Sequence, residues 1–276
     1  MVIDSHHHFW KYTAAEYGWI GESMSAIRSD FLPEDLSPLT KSSEVDGVIS
    51  VQARQSLEET HWLLQLANEN KFVRGVVGWV PLTSDRLKPD LEAVAADPKF
   101  RGVRHVLQTE TDDPFMLRED FNRGISALKE FGLAYDLLIF ERQMPMSLRF
   151  VDKHPGQVFV LDHLAKPKIK AHELEPWAKY MRELARRENV YCKISGMVTE
   201  ADWQGWTQQG LKEYFDVALD AFGPARLLAG SDWPVCLVAC GYKRWWEILR
   251  QWAATMSETE REQFLGLNAV KAYGLK

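Results

Sequence analysis

The chain has 276 residues, with 33 Lys and Arg against 39 Asp and Glu, giving a formal net charge of −6. That length suits one α/β barrel of about 250 residues and buries enough apolar surface to fold without a disulfide or metal staple. The mild acidity argues against nucleic-acid and anionic-membrane partners, and no apolar run approaches the roughly 20 residues of a membrane span. The opening MVIDSHHHFW has neither the basic nor the apolar region of a signal peptide. Three cysteines, Cys192, Cys236 and Cys240, make no disulfide framework, so a cytoplasmic location is expected. Eleven tryptophans are the one compositional oddity.

In chain order, short β-rich runs alternate with helical stretches, the pattern of parallel strands joined by crossover helices. Strands are expected at 2–6, 47–53, 74–81, 102–107, 133–139, 158–163, 190–195 and 227–232. Several are continuous apolar runs, such as VFVLDH and AYDLLIF, as strands buried on both faces require. Between them, Ser56-x-x-Glu59 reads as a capping box ahead of a helix. Phe121, Ile125, Leu128 and Phe131 share a helical face that Gly132 closes, and Ser257-x-x-Glu260 opens the last helical region. Eight such units predict a single-domain (β/α)8 TIM barrel over residues 1–276. A doubly wound sheet is disfavoured because no Gly-x-Gly-x-x-Gly turn follows a strand.

A barrel of this kind carries its chemistry at the C-terminal ends of its strands. At the first, alternation turns His6 and His8 inward and His7 away, and paired imidazoles suit Zn²⁺ or a similar cation. His163 ends the sixth strand and Asp232 the eighth. The aspartate could shuttle a proton for an attacking water or complete a metal's ligand set, its bland alternative being a helix cap. Weaker candidates at the rim are Gln52, Arg54, Trp79, Arg104, His105 and Lys166, while Tyr135 and Asp136 lie early in their strand and suit the core. Cys236 and Cys240 lack the partner cluster of a metal site. Neither a Gly-x-Ser-x-Gly elbow nor a Walker loop is present.

The segments IDSHHHFW, VQARQSLEETHWLLQLA, GVVGWVPL, RGVRHVLQ, VLDHLAKP, CKISGMVTEADW, FGPARLLAGSDWPVC and NAVKAYGL span the chain. In them it resembles the amidohydrolase superfamily, in the branch of TIM-barrel lactonases that includes sugar-lactonases and pyrone-dicarboxylate lactonase. The resemblance implies that His6, His8, His163 and Asp232 match the family's metal or catalytic set. The bridging lysine and strand-five histidine of better-known members are replaced by Arg104-His105 and Tyr135-Asp136. That departure disfavours a two-metal site and leaves one divalent cation, zinc before others, or a metal-independent enzyme.

The expected activity is opening of a sugar-derived lactone, of the L-fucono or L-rhamnono type, to the aldonic acid. Asp232 is expected as general base, with His163 and His105 beside it in the catalytic set and His105 donating to the carbonyl. Gln52, Arg104 and Lys166 would meet substrate hydroxyls, and Trp79, Trp233 and Trp10 would offer flat faces to the ring. The alternatives are a metal-dependent decarboxylase of aromatic or unsaturated carboxylic acids, and a non-catalytic sugar-binding barrel.

Overall fold

The computed structural model describes residues 1–276, the side chain of Asp113 excepted. Eight parallel strands follow one another around a single sheet: β1 (Ile3–His7), β2 (Gly47–Val51), β3 (Val73–Gly78), β4 (Phe100–His105), β5 (Ala134–Leu137), β6 (Phe159–Leu161), β7 (Val190–Ile194) and β8 (Leu227–Ala229). The sheet closes where β1 meets the segment after β8, with the Asp232 amide donating to the His6 carbonyl (2.8 Å) and the His8 amide to that of Trp233 (2.7 Å). Each expected strand overlaps an observed one, with β1 running one residue further, β3 starting one residue earlier and β4 lying two residues earlier than expected. The sixth and eighth are shorter than expected because the chain leaves the extended region at their ends, at His163 (φ 51°) and Asp232 (φ 59°). Among the described residues no helix is long and apolar enough to cross a membrane.

The helices that cover the barrel are α1 (Pro33–Ser42), α2 (Leu57–Glu69), α3 (Leu87–Ala95), α4 (Glu119–Leu128), α5 (Met144–Asp152), α6 (Trp177–Ala185), a short α7 (Met197–Glu200), α8 (Gln208–Phe222), α9 (Tyr242–Ala253), α10 (Glu258–Glu262) and α11 (Asn268–Ala272). Their local signals act as written in the sequence. The Ser56 hydroxyl accepts the Glu59 amide at the start of α2, and the Ser257 hydroxyl accepts that of Glu260 at α10. Helix α4 buries Phe121, Ile125 and Leu128, and Gly132 at φ 64° ends the turn that follows.

The barrel interior is layered. Its lower layer is apolar, with Ile3, Ile49, Val77, Val160, Tyr191 and Leu228 closed from below by Tyr273, just past α11. Above it lies a buried charged layer of Arg104, Asp136, Asp162 and Lys193. The Lys193 ammonium has three hydrogens and faces three acceptors: Asp136 Oδ2 at 2.5 Å, Asp162 Oδ1 at 2.9 Å and His6 Nδ1 at 3.0 Å. Arg104 Nη1 donates to Asp162 Oδ2 (2.9 Å), and the Tyr273 hydroxyl to Asp136 Oδ1 (2.8 Å). Two cations thus balance two carboxylates, which is what makes burial of all four tolerable.

Strand β1 reaches this layer through a bulge. Asp4 pairs with Val48 and His7 with Ser50, so three residues of β1 run against two of β2. The extra residue keeps Ile3 inward in the lower layer while also turning His6 and His8 inward.

Removing one member of the charged layer leaves its opposite buried and unpaired. Lys193→Met should therefore lower the unfolding free energy by about 3–5 kcal/mol in urea titration. The double variant Lys193→Met/Asp136→Asn should recover part of the loss. A Lys193→Met transition at the wild-type position would contradict this account of the interior.

Candidate active site

His6, His8, His163 and Asp232, predicted from three different strands, converge above the charged layer. His8 donates from Nδ1 to the Val51 carbonyl (2.8 Å), which leaves the Nε2 lone pair facing inward. That nitrogen lies 3.2 Å from His6 Nε2 and 3.5 Å from Asp232 Oδ1, and His6 Nε2 is 3.8 Å from the same oxygen. His163 approaches from the other side, its Nε2 also 3.8 Å from Asp232 Oδ1 and its Nδ1 2.9 Å from the Ser195 hydroxyl. His7 points the other way, bonding Ser50 Oγ (2.9 Å) within the wall of the barrel.

The backbone here is unusual. His163, Leu164, Ala165 and Lys166 all have φ between 51° and 60°, a left-handed turn that costs about 1–2 kcal/mol per residue. It is held by the Trp177 indole donating to the Leu164 carbonyl (2.6 Å) and by the Lys166 amide donating to that of His163 (2.8 Å). Gly196 backs the histidine, since a Cβ there would lie 2.6 Å from His163 Nδ1. Asp232 is left-handed too, and such strain gathers at sites where side-chain direction matters more than backbone comfort.

Burial, reinforced by the Lys193 ammonium, holds His6 neutral, well below the ordinary histidine value. Burial also brings His163 down to about 4, against the opposing pull of Asp232 and Asp162. Asp232 behaves differently. Burial pushes its carboxyl up, but His163, His8 and Lys166 outweigh this and keep it below the usual carboxylate value. The site therefore presents an ionised carboxylate beside the neutral imidazoles of His6 and His163, an arrangement suited to accepting a proton.

The same atoms meet the spacing a cation requires. At metal–ligand distances of about 2.0–2.1 Å, tetrahedral donors stand roughly 3.4 Å apart. The three separations among His6 Nε2, His8 Nε2 and Asp232 Oδ1, 3.2, 3.5 and 3.8 Å, bracket that value. Two groups compete for the other nitrogen of His6. Lys193 donates to Nδ1, which places the imidazole proton on Nε2; a proton on Nδ1 directed at Asp162 Oδ1 (3.3 Å) would free Nε2 to ligate. His163 groups instead with His6 and Asp162 as a second possible ligand set.

Asp232, His8 and His163 floor a cavity of about 270 Å³ whose walls include Arg104, Lys166, Gln55, Gln108 and Thr109 on the polar side. Ala53, Val106, Leu138, Val235 and Trp19 supply the apolar side. This lies just below the usual range for drug-sized ligands and matches a smaller one. Lys166 reaches it while paired with Glu200 (3.6 Å).

Five expected contacts lie elsewhere. His105 stands on the outer face of β4, opposite Arg104, stacked on Phe115 (5.2 Å) and bonded to Glu110 (2.7 Å), and does not line the cavity. Gln52 is fully buried and spends its side-chain oxygen on Arg104, at 3.1 Å from Nε and 2.8 Å from Nη2. Its carbonyl accepts from the same guanidinium. Trp233 is buried edge-on against Phe31 (5.2 Å), and Trp10 is buried with its indole donating to Ser29 (2.9 Å). Trp79 is pinned by hydrogen bonds between its backbone and Thr60 and does not line the cavity. The residues not anticipated include Lys193, Asp162 and Trp19, with Gln55, Gln108 and Thr109 of the cavity wall. For the first two, a charged residue inside a buried strand was the available signal.

A family model described as amidohydrolase matches residues 3–275. The chain is 41% identical to a protein of Burkholderia multivorans named L-fucono-1,5-lactonase, over all of this chain and 96% of that one. It is 39% identical to a Burkholderia ambifaria protein of the same name, over 86% of this chain and 81% of that one. A crystal structure of a Burkholderia multivorans amidohydrolase with bound zinc superposes with a TM-score of 0.95 at 41% identity, covering both chains completely. The chain belongs to the amidohydrolase family.

Proposed function

We propose that this protein hydrolyses a sugar-derived 1,5-lactone to its aldonic acid, with Asp232 as general base. One observation carries the reading: an ionised carboxylate, flanked by three histidines, floors a small cavity in a chain 41% identical throughout to an L-fucono-1,5-lactonase. Asp232 takes a proton from water as the water attacks the lactone carbonyl, then returns it to the ring oxygen as the C–O bond breaks. Arg104 faces the cavity with its charge already committed to Asp162, so it orients polar substrate groups and moves no proton. Lys166 supplies a second cation at the wall, where it would steady the developing oxyanion or a ring hydroxyl.

His6, His8 and Asp232 would hold a divalent cation, with zinc favoured by the zinc-bound relative. When bound, such an ion supplies Lewis-acid polarisation of the carbonyl. His163, oriented by Ser195, keeps its Nε2 3.8 Å from the carboxylate. The substrate is a small molecule, and a net charge of −6 supports a protein without nucleic-acid or membrane partners. Three buried free cysteines support a cytoplasmic location.

Asp232→Asn should lower kcat on a six-carbon 1,5-aldonolactone by about 10²–10⁴-fold, measured by proton release, with the circular dichroism spectrum unchanged. Turnover within a few-fold of wild type would remove Asp232 from its role. Metal analysis and calorimetric titration should find one zinc per wild-type chain. His8→Ala should weaken it by more than about 100-fold, beyond what loss of an outer partner causes. Equal zinc affinity in the two proteins would rule out the first-strand pair as ligands.

A further inference from the structure

Trp19 is the only tryptophan classed as exposed among the described residues, at 47%, and the only one lining the cavity. Its placement is firm. Its ring meets Trp10 edge-on (5.9 Å, 88°), and Trp10 in turn stacks on the imidazole of His8 (6.2 Å, 28°). Tyr17, just before it, packs on Trp10 (5.7 Å) beneath the Arg54 guanidinium (5.7 Å), and Arg54 is ion-paired with Glu16. The Ile20 amide donates to the Tyr17 carbonyl (2.9 Å), closing the turn that carries the indole. A large apolar face thus borders a cavity that Gln108, Thr109 and Lys166 also line.

A half-exposed indole that already packs on a buried aromatic support loses less conformational entropy when a ligand covers it than a free one would. Sharing the cavity with hydrogen-bonding groups, it matches a ligand with C–H bonds on one face and hydroxyls around its edge. We propose that Trp19 is the specificity-determining residue of this site, stacking on the face of a saturated, hydroxylated six-membered ring. The inference rests on the sugar-lactone reading for its substrate, but not for the ring that is bound.

The test uses the full-length protein and two probes: a six-carbon 1,5-aldonolactone for turnover, and a 1,5-anhydrohexitol, the same ring without the carbonyl, for binding by calorimetry. Trp19→Ala should raise KM for the lactone and Kd for the anhydrohexitol by about tenfold or more, the scale of one aromatic stack. The lactone kcat should fall less than about threefold, a split that general disruption of the site would not produce. Trp19→Phe should recover most of the affinity and Trp19→Leu should not, because the flat face and not apolar volume is required. KM and Kd within twofold of wild type in Trp19→Ala, or equal recovery by Leu and Phe, would overturn the proposal. Should the wild type open no lactone, the function reading fails alone, and the Kd series still decides the role of Trp19.

Discussion

The ammonium of Lys193 is the interaction on which the rest of this interior depends. It sits fully buried at mid-barrel and joins three strands, with Asp136 from β5, the carboxylate following β6, and the first histidine of β1. A charge in that position is tolerable only because every hydrogen it carries has an acceptor and two carboxylates surround it. The arrangement fixes the orientation of His6 and, through Asp162, the direction of Arg104. The floor of the cavity is therefore set by electrostatic matching below it, and the apolar layer beneath only has to close the barrel.

Above that layer the chain accepts backbone strain to aim its side chains. The left-handed turn from His163 to Lys166 points the histidine at Asp232 and the lysine at the cavity within four residues, which an extended strand end would not do. Asp232, also left-handed, is brought beside His8 at the seam where the barrel closes. Opposite demands are met on β1, where a bulge keeps both an apolar residue and two histidines inward. Strain and irregularity are concentrated at the site, while the helices follow ordinary capping and amphipathic rules.

The βα alternation, the inward pair His6 and His8, and the convergence of His163 and Asp232 were legible in the sequence, because strand order and alternation are local properties. What the sequence hid depends on long-range partners. His105 and Arg104 are adjacent at one strand end, and only the phase of β4 shows that the arginine faces in. Gln52 looks available for substrate until Arg104, more than fifty residues later, occupies it. Trp79 and Trp233 lie late in or just after their strands but turn away from the cavity, whereas Trp19 comes from a loop with no periodicity to place it. Lys193 reads as an interruption of an apolar strand and acquires meaning only with Asp136 and Asp162 in position.

The central claim is that water attacks the carbonyl of a sugar lactone on this floor. Its most direct measurement is turnover of a six-carbon 1,5-aldonolactone in oxygen-18 water, with the initial product followed by mass spectrometry against an enzyme-free control. The account predicts enzyme-accelerated formation of the aldonic acid with one heavy oxygen, located in the carboxylate. Label in a hydroxyl group, release of carbon dioxide, or no acceleration over the control across the sugar lactones would contradict it.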